Sequence, residues 1–383
     1  MIPLSVPNLS GNEWEYIKDC LDTNWVSSVG SYVDKFENAL ISYTGVSSAI
    51  ATSNGTAAIH IALLLAGVKN GDLVIVPNIT FVAPCNAITY VGAEPLLIDV
   101  DLHTWQLDVH LTTKFLGEEC ELINKVCIHK ASGKRIAAIL PVHVLGNMVD
   151  MNLLSIVAEK FHIPIIEDAT ESLGSSYFKK PAGSFGLFGC LSFNGNKIMT
   201  TGGGGMLLSN DNKLGKRAKH LTTQAKAHPV EYFHDEIGYN YRLVNVLAAM
   251  GVAQFEQLPK FIRRKQEIAA FYTKELSEIP GFAPQILTEG VESNAWLYTA
   301  KFNDPLSLNE FLNSKSIQTR RFWVPMNELP AFSACIYIHE RNNSASIYAD
   351  CLSLPCSTGI TDPELLSVVE QIKAFYLSTK ILA

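Results

Sequence analysis

The sequence lacks the common catalytic signatures. It contains no GxxxxGK[ST], no HExxH, no GxSxG and no GxGxxG after an apolar run. Those absences remove a P-loop NTPase, a zinc hydrolase, an α/β-hydrolase and an ordinary dinucleotide oxidoreductase. No CxxC pair occurs among Cys20, Cys85, Cys120, Cys127, Cys190, Cys335, Cys351 and Cys356. Scattered thiols without metal spacing, behind a start with no secretory pattern, are expected to be reduced core cysteines of a cytoplasmic protein. No apolar run approaches the ~18 residues that span a bilayer. Positive charge is also short: 30 Lys+Arg stand against 37 Asp+Glu, a formal net charge of −7. That balance argues against a nucleic-acid binder, which needs a basic field.

What is present is globular. Of 383 residues, 48% are hydrophobic and 17% charged, enough apolar material for a large core and the reverse of a disordered composition. From Val46 to Ser209 short apolar runs alternate with helical patterns. Leu73 to Pro77, Leu96 to Val100, Ile136 to Val142 and Ile163 to Glu167 are nearly continuous apolar runs, which suit parallel strands buried on both faces. Thr56 to Ala66, Phe81 to Tyr90 and Val149 to Phe161 read as helices between them, and MLLS after Gly205 as a further strand. This alternation predicts an α/β fold with a mostly parallel, doubly wound sheet and a ligand site at the carboxyl ends of its strands. Leu243 to Leu258 and Ile262 to Leu276 read as two helices broken by Pro259. From Ser277 onward the pattern is α+β. The expected division is a large domain over 1–257 and a smaller C-terminal one over 258–383.

Three segments carry chemistry. Ser53-Asn54-Gly55-Thr56 opens a buried helix, where bare N–H groups form an anion site; taken alone it is more simply an N-cap. Ile163 to Asp168 is a buried strand ending in a carboxylate, with Glu171 one turn later. Ser192-Phe-Asn-Gly-Asn-Lys197 follows an apolar run and precedes Gly202 to Gly205. Taken alone, Lys197 is a surface lysine in a glycine-rich turn. Together the three supply a phosphate cradle, a partner for a pyridine nitrogen and an amine for an aldehyde, which is what pyridoxal phosphate requires.

The chain resembles the DegT/DnrJ/EryC1/StrS sugar-nucleotide aminotransferases, pyridoxal-phosphate enzymes of fold type I. The likeness runs through Trp25-Val-Ser-Ser-Val-Gly30, Ser53 to Ala58, Pro77-Asn-Ile-Thr-Phe-Val82, Asp99-Val-Asp101, Glu167 to Gly174, Ser192 to Lys197 and Gly238-Tyr-Asn-Tyr-Arg242. Cys127 to Arg135 and Gly202 to Gly205 are similar to the LegC-type branch, which aminates C4 of a nucleotide-linked 4-keto-6-deoxy sugar. The resemblance implies Lys197 as Schiff-base lysine and proton shuttle, and Asp168 as partner of the pyridine nitrogen. It implies Ser192, Gly55 and Thr56 at the phosphate, and Phe81 and Thr170 on the two ring faces. Asn240 is then expected at the phosphate of a neighbouring subunit, in a homodimer with shared sites. The implied substrate is UDP-2-acetamido-4-keto-2,6-dideoxyglucose, with glutamate as amino donor, for surface glycan biosynthesis.

Two positions depart from the family pattern. Glu171 stands where many relatives carry Gln, so a hydrogen-bonded, perturbed carboxyl is expected there. Asn327, in Phe322-Trp-Val-Pro-Met-Asn327, stands where His is usual near the sugar; it bonds but does not titrate. His143 reads equally as a site residue and as a satisfied core histidine. Phe322 and Trp323 read as core packing before base stacking, and His220, His228 and His234 as a polar loop over the site with no metal. Lys260, Arg263, Arg264 and Lys265 read as one solvated helix face. A dehydratase of the family would carry His at 197, which this chain does not. An inactive regulatory or scaffolding homologue is the alternative, and the intact Lys197, Asp168 and Ser192 weigh against it.

Overall fold

The computed structural model describes residues 1–228 and 230–382. Eight strands build the central sheet: β1 (Ser48–Thr52), β2 (Leu73–Pro77), β3 (Glu94–Ile98), β4 (Ile136–Ile139), β5 (Ile166–Asp168), β6 (Phe188–Ser192), β7 (Gly205–Ser209) and the short edge strand Tyr337–Ile338, parallel to β3. Strands β2, β3 and β4 pair in parallel, as do β5 and β6. Parallel bridges Ile139↔Ile165 and Val142↔Asp168 join β4 to β5. The spatial order is therefore β1-β7-β6-β5-β4-β2-β3, with Tyr337–Ile338 at the edge beyond β3. Only β7 runs against the others, antiparallel to both β1 and β6. The apolar runs are buried as continuous runs must be: every residue of β2 is inaccessible or nearly so, because helices cover both faces.

Those helices are α1 (Glu13–Asp22), α2 (Ser31–Thr44), α3 (Gly55–Leu65), α4 (Ala83–Tyr90), α5 (Val109–Glu118), α6 (Met151–Lys160), α7 (Asn212–Thr222) and α8 (Asn245–Glu275). Helix α3 is apolar almost all round and is the most enclosed, packing on β6, β7, α4 and α7. Strand β1 and helices α1 and α2 have no counterpart in the sequence reading.

Helix α8 corrects that reading outright. It runs unbroken through Pro259 for 31 residues. Pro259 is exposed, so the lost ladder bond faces solvent, while Leu258 and Phe261 stay anchored in the core. A second apolar core gathers Ile268, Tyr272 and Leu276 of α8 with α9 (Pro305–Ser314), the C-terminal helix (Asp362–Leu382) and a four-stranded antiparallel sheet. That sheet contains Thr299–Lys301, Cys351–Ser353 and Arg320–Arg321. The N-terminus crosses into this part: the Ile2 N–H donates to Ser316 O (2.9 Å) and the Cys356 N–H to Leu4 O (2.8 Å). No described helix is long and apolar enough to cross a membrane. All eight cysteines are free, and seven are buried.

Candidate active site

The carboxyl ends of β1, β2, β5 and β6 open on one cavity of about 490 Å³. Helix α3 starts at its rim. The Asn54 side chain caps it by accepting from the Ala57 N–H (2.7 Å), which leaves the Gly55 and Thr56 N–H groups without helical acceptors at the positive end of the dipole. Gly55 is required by contact: a Cβ there would lie 2.9 Å from Ser192 Cβ and 3.0 Å from Thr170 Cγ2. Gly205 is required likewise, since its Cβ would sit 2.5 Å from the Asn54 carbonyl carbon. The helix start is thereby pressed against the ends of β6 and β7.

Asp168 closes β5. It is buried, and Oδ1 accepts the Thr170 N–H (3.0 Å). Burial holds its carboxyl above the usual range, against the opposing pull of Thr170, Lys197 and His143. Glu171 sits deeper. Oε2 accepts the Leu145 N–H (2.9 Å) and Oε1 lies 3.5 Å from Lys197 Nζ. Burial pushes Glu171 up to about 7, with Lys197 and the Leu145 N–H pulling the other way. The expected perturbed carboxyl is thus present. Lys197 Nζ also lies 4.3 Å from the centroid of the Trp296 ring.

Gly55, Thr56, Phe81 and Thr170 line this cavity together with Asp168, Glu171, Ser192 and Lys197. Three predicted residues do not. His143 is fully buried behind the wall, Nε2 3.1 Å from Glu167 Oε2. Asn327 is tied to Asn78: its Oδ1 accepts the Asn78 side-chain amide (2.8 Å), and its N–H donates to Asn78 Oδ1 (3.0 Å). Asn240 is exposed and pairs with Thr223, outside the cavity of its own chain.

Two readings of charged segments need correction. The histidine loop does not line the cavity. His220 pairs with Asp235 (2.7 Å), His234 Nδ1 bonds Gln224 O (2.7 Å) and His228 accepts the Glu231 N–H (2.9 Å), so the three rings meet different partners. Lys265 is buried, unlike its basic neighbours. Its Nζ donates to Trp296 O (2.7 Å) and approaches Cys356 Sγ (3.4 Å). Trp296 itself was not foreseen. It lies far from Lys197 in sequence, in a segment whose apolar pattern reads only as a strand. Its indole N–H donates to Asn196 O (2.7 Å), which fixes the ring beneath the lysine amine.

A helix-start anion cradle, a buried strand-end carboxylate and an enclosed lysine sharing one cavity define the site of a fold type I pyridoxal-phosphate transferase. The comparisons agree. The DegT/DnrJ/EryC1/StrS aminotransferase family model matches residues 7–373. The chain is 37% identical over 382 residues to GDP-perosamine synthase of Escherichia coli O157:H7, covering 98% of each. It is 34% identical over 379 residues to GDP-perosamine synthase of Caulobacter vibrioides, covering 96% of each. A DegT DnrJ EryC1 StrS aminotransferase from Brucella abortus superposes with a TM-score of 0.88 at 25% identity over 95% of each chain. The chain belongs to the DegT/DnrJ/EryC1/StrS aminotransferase family, and it is a pyridoxal-phosphate-dependent sugar aminotransferase.

Proposed function

We propose that the protein transfers the amino group of glutamate to C4 of a nucleotide-linked 4-keto-6-deoxy sugar destined for a surface glycan, with Lys197 and Asp168 as its catalytic residues. The observation that supports this reading is the shared cavity, whose lining includes an enclosed lysine, a strand-end carboxylate and a helix N-terminus. When bound there, pyridoxal phosphate supplies an electron sink for bond changes at the donor and acceptor carbons.

The chain's own groups do the rest. The Gly55 and Thr56 N–H groups and the Ser192 hydroxyl hold the phosphate. Asp168 would accept from the ring nitrogen and keep it protonated; burial holds its carboxyl above the usual range, and a ring cation would favour the carboxylate. Phe81 and Thr170 flank the ring, and Glu171 meets its hydroxyl. Lys197 Nζ takes the proton from the donor carbon in one half-reaction and returns one to sugar C4 in the other. While Nζ carries that proton, Glu171 Oε1 and the Trp296 face stabilise it. His143 supports the β5 end from behind, and Asn327 orders the wall near the sugar. Asn240 reaches the phosphate held by a second copy of the chain in a homodimer.

For the nucleotide, the resemblance to the LegC-type branch supports UDP-2-acetamido-4-keto-2,6-dideoxyglucose. A second reading, a GDP-linked sugar, is favoured by the names of the two GDP-perosamine synthases. Incubation with glutamate and either the UDP-linked ketosugar or GDP-4-keto-6-deoxymannose, followed by mass spectrometry of the products, separates them. The first reading expects the larger kcat/KM with the UDP sugar. A larger value with the GDP sugar replaces it with the second, and amination of neither removes the proposed substrate class.

A further inference from the structure

The charges on the cavity wall do not balance. Asp168 and Glu171 stand beside Lys197, but the wall contributed by the C-terminal sheet carries Arg320 and Arg321 with no acid beside them. Of the six other arginines, Arg135, Arg217, Arg242 and Arg264 pair with a carboxylate, while Arg263 and Arg341, neither of which lines the cavity, do not pair with one among the described residues. Among the described residues neither Arg320 nor Arg321 does. Arg321 leans on Tyr348, with its guanidinium carbon 4.1 Å from the ring centroid, and donates to Tyr348 Oη (3.0 Å) and Tyr348 O (3.3 Å). Its Nε is buried and has no hydrogen-bond partner. Only one other described side-chain atom is buried and orphaned in this way, Thr80 Oγ1. Thr80 lines the same cavity. Buried polar groups are rarely left unpaired, and two of them around one cavity mark where a ligand completes the bonding.

Resting on the substrate class proposed above, we propose that Arg320 and Arg321 form the anion subsite for the diphosphate of the sugar nucleotide, with Thr80 as an additional hydrogen-bond donor at the cavity wall. Two guanidinium groups match a group carrying about two negative charges, and their planar forks suit phosphate oxygens. The position is also right in kind. When C4 of a pyranose faces Lys197, the diphosphate on C1 lies across the ring, away from the lysine. The cations that meet it must therefore come from a wall other than that of Asp168 and Glu171, as these two do.

The test is calorimetric binding of inorganic pyrophosphate, UDP and GDP to the holoenzyme and to its Arg320→Met and Arg321→Met variants, beside the KM for glutamate. Each variant is expected to weaken all three ligands about tenfold or more, more so at low salt, with the glutamate KM unchanged. Dissociation constants that match the wild type in both variants overturn the subsite. So does a raised glutamate KM with unchanged nucleotide binding, which assigns the arginines to the donor's carboxylate. Arg321→Met also loses the Tyr348 contacts; Arg320→Met breaks no side-chain bond and carries the test if the first variant misfolds. If no sugar nucleotide is aminated while the variants still weaken pyrophosphate, UDP and GDP, the subsite stands and the assigned substrate falls.

Discussion

Burial holds the Glu171 carboxyl near 7, from an ordinary 4.5, and that shift has a consequence for stability. Between about pH 4.5 and pH 7 the folded cofactor-free protein binds this proton more tightly than the unfolded chain, so the group's contribution to stability falls as pH rises through that window. Glu171→Gln cannot titrate. It is expected to gain on the wild type progressively from pH 5 to pH 8 in urea unfolding of the cofactor-free protein; a gap that stays constant over that range refutes the assignment. Lys197→Ala is expected to lose roughly 10³-fold or more in turnover, since its amine is the proposed proton shuttle; ordinary turnover in the steady-state assay would refute its role. Trp296→Leu removes the ring beneath the amine while keeping an apolar side chain. It is expected to lower kcat about tenfold with little change in the glutamate KM, and an unaltered kcat means that the ring only fills space. Asp168 was legible because it ends a readable apolar run, and Lys197 because it follows another within a motif that the family resemblance marks. Trp296 was not, since its meaning lies in a contact made across about a hundred residues.

At the scale of elements, the motif Gly238 to Arg242 has a structural use that the sequence did not disclose. Arg242 pairs with Glu37 of α2 and also donates to Ala51 O (3.3 Å), while Glu37 accepts the Ala51 N–H (2.8 Å). Both side chains are buried, so this pair ties β1, α2 and the chain before α8 together. Arg242→Met leaves Glu37 buried without its cation and is expected to cost about 3–5 kcal/mol, read from the midpoint of urea unfolding; a loss below about 1 kcal/mol would place the pair in the class of exposed bridges. The long parallel strands were legible because burial on both faces demands uninterrupted apolar residues. The direction of β7 was not. Its MLLS run is as apolar as its neighbours, and only the chain's return past Gly202 to Gly205 sets it antiparallel. Pro259 misled in the opposite sense: packing of Leu258 and Phe261 outweighs one missing bond on the wet side of α8.

For the whole molecule, the cavity draws on residues from opposite ends of the chain, from Leu4 and Ser5 to Ser353. We propose that 1–257 and 258–383 act as two lobes, with α8 contributing to the cores of both. The homodimer is the further expectation at this scale. Sedimentation should give about twice 42.1 kDa. Asn240→Ala should weaken pyridoxal-phosphate binding about tenfold without dissociating the dimer, as for a lost hydrogen bond to an ionised group. A fully active monomer, or unchanged cofactor affinity in Asn240→Ala, would remove the shared site.

The sequence by itself determined the α/β class, the main strands and helices around the site, and the candidate residues at 55–56, 168 and 197 that share the cavity. Each of these is written in local periodicity and short motifs, which act through neighbours along the chain. The tertiary structure alone decided that His143 stands behind the wall and Asn327 bonds to Asn78 outside the cavity lining, that Lys265 turns inward, and that Trp296, Arg320 and Arg321 line the cavity. Those outcomes depend on which distant side chains share a small volume, and neither hydrophobic periodicity nor residue type encodes that before the chain has folded.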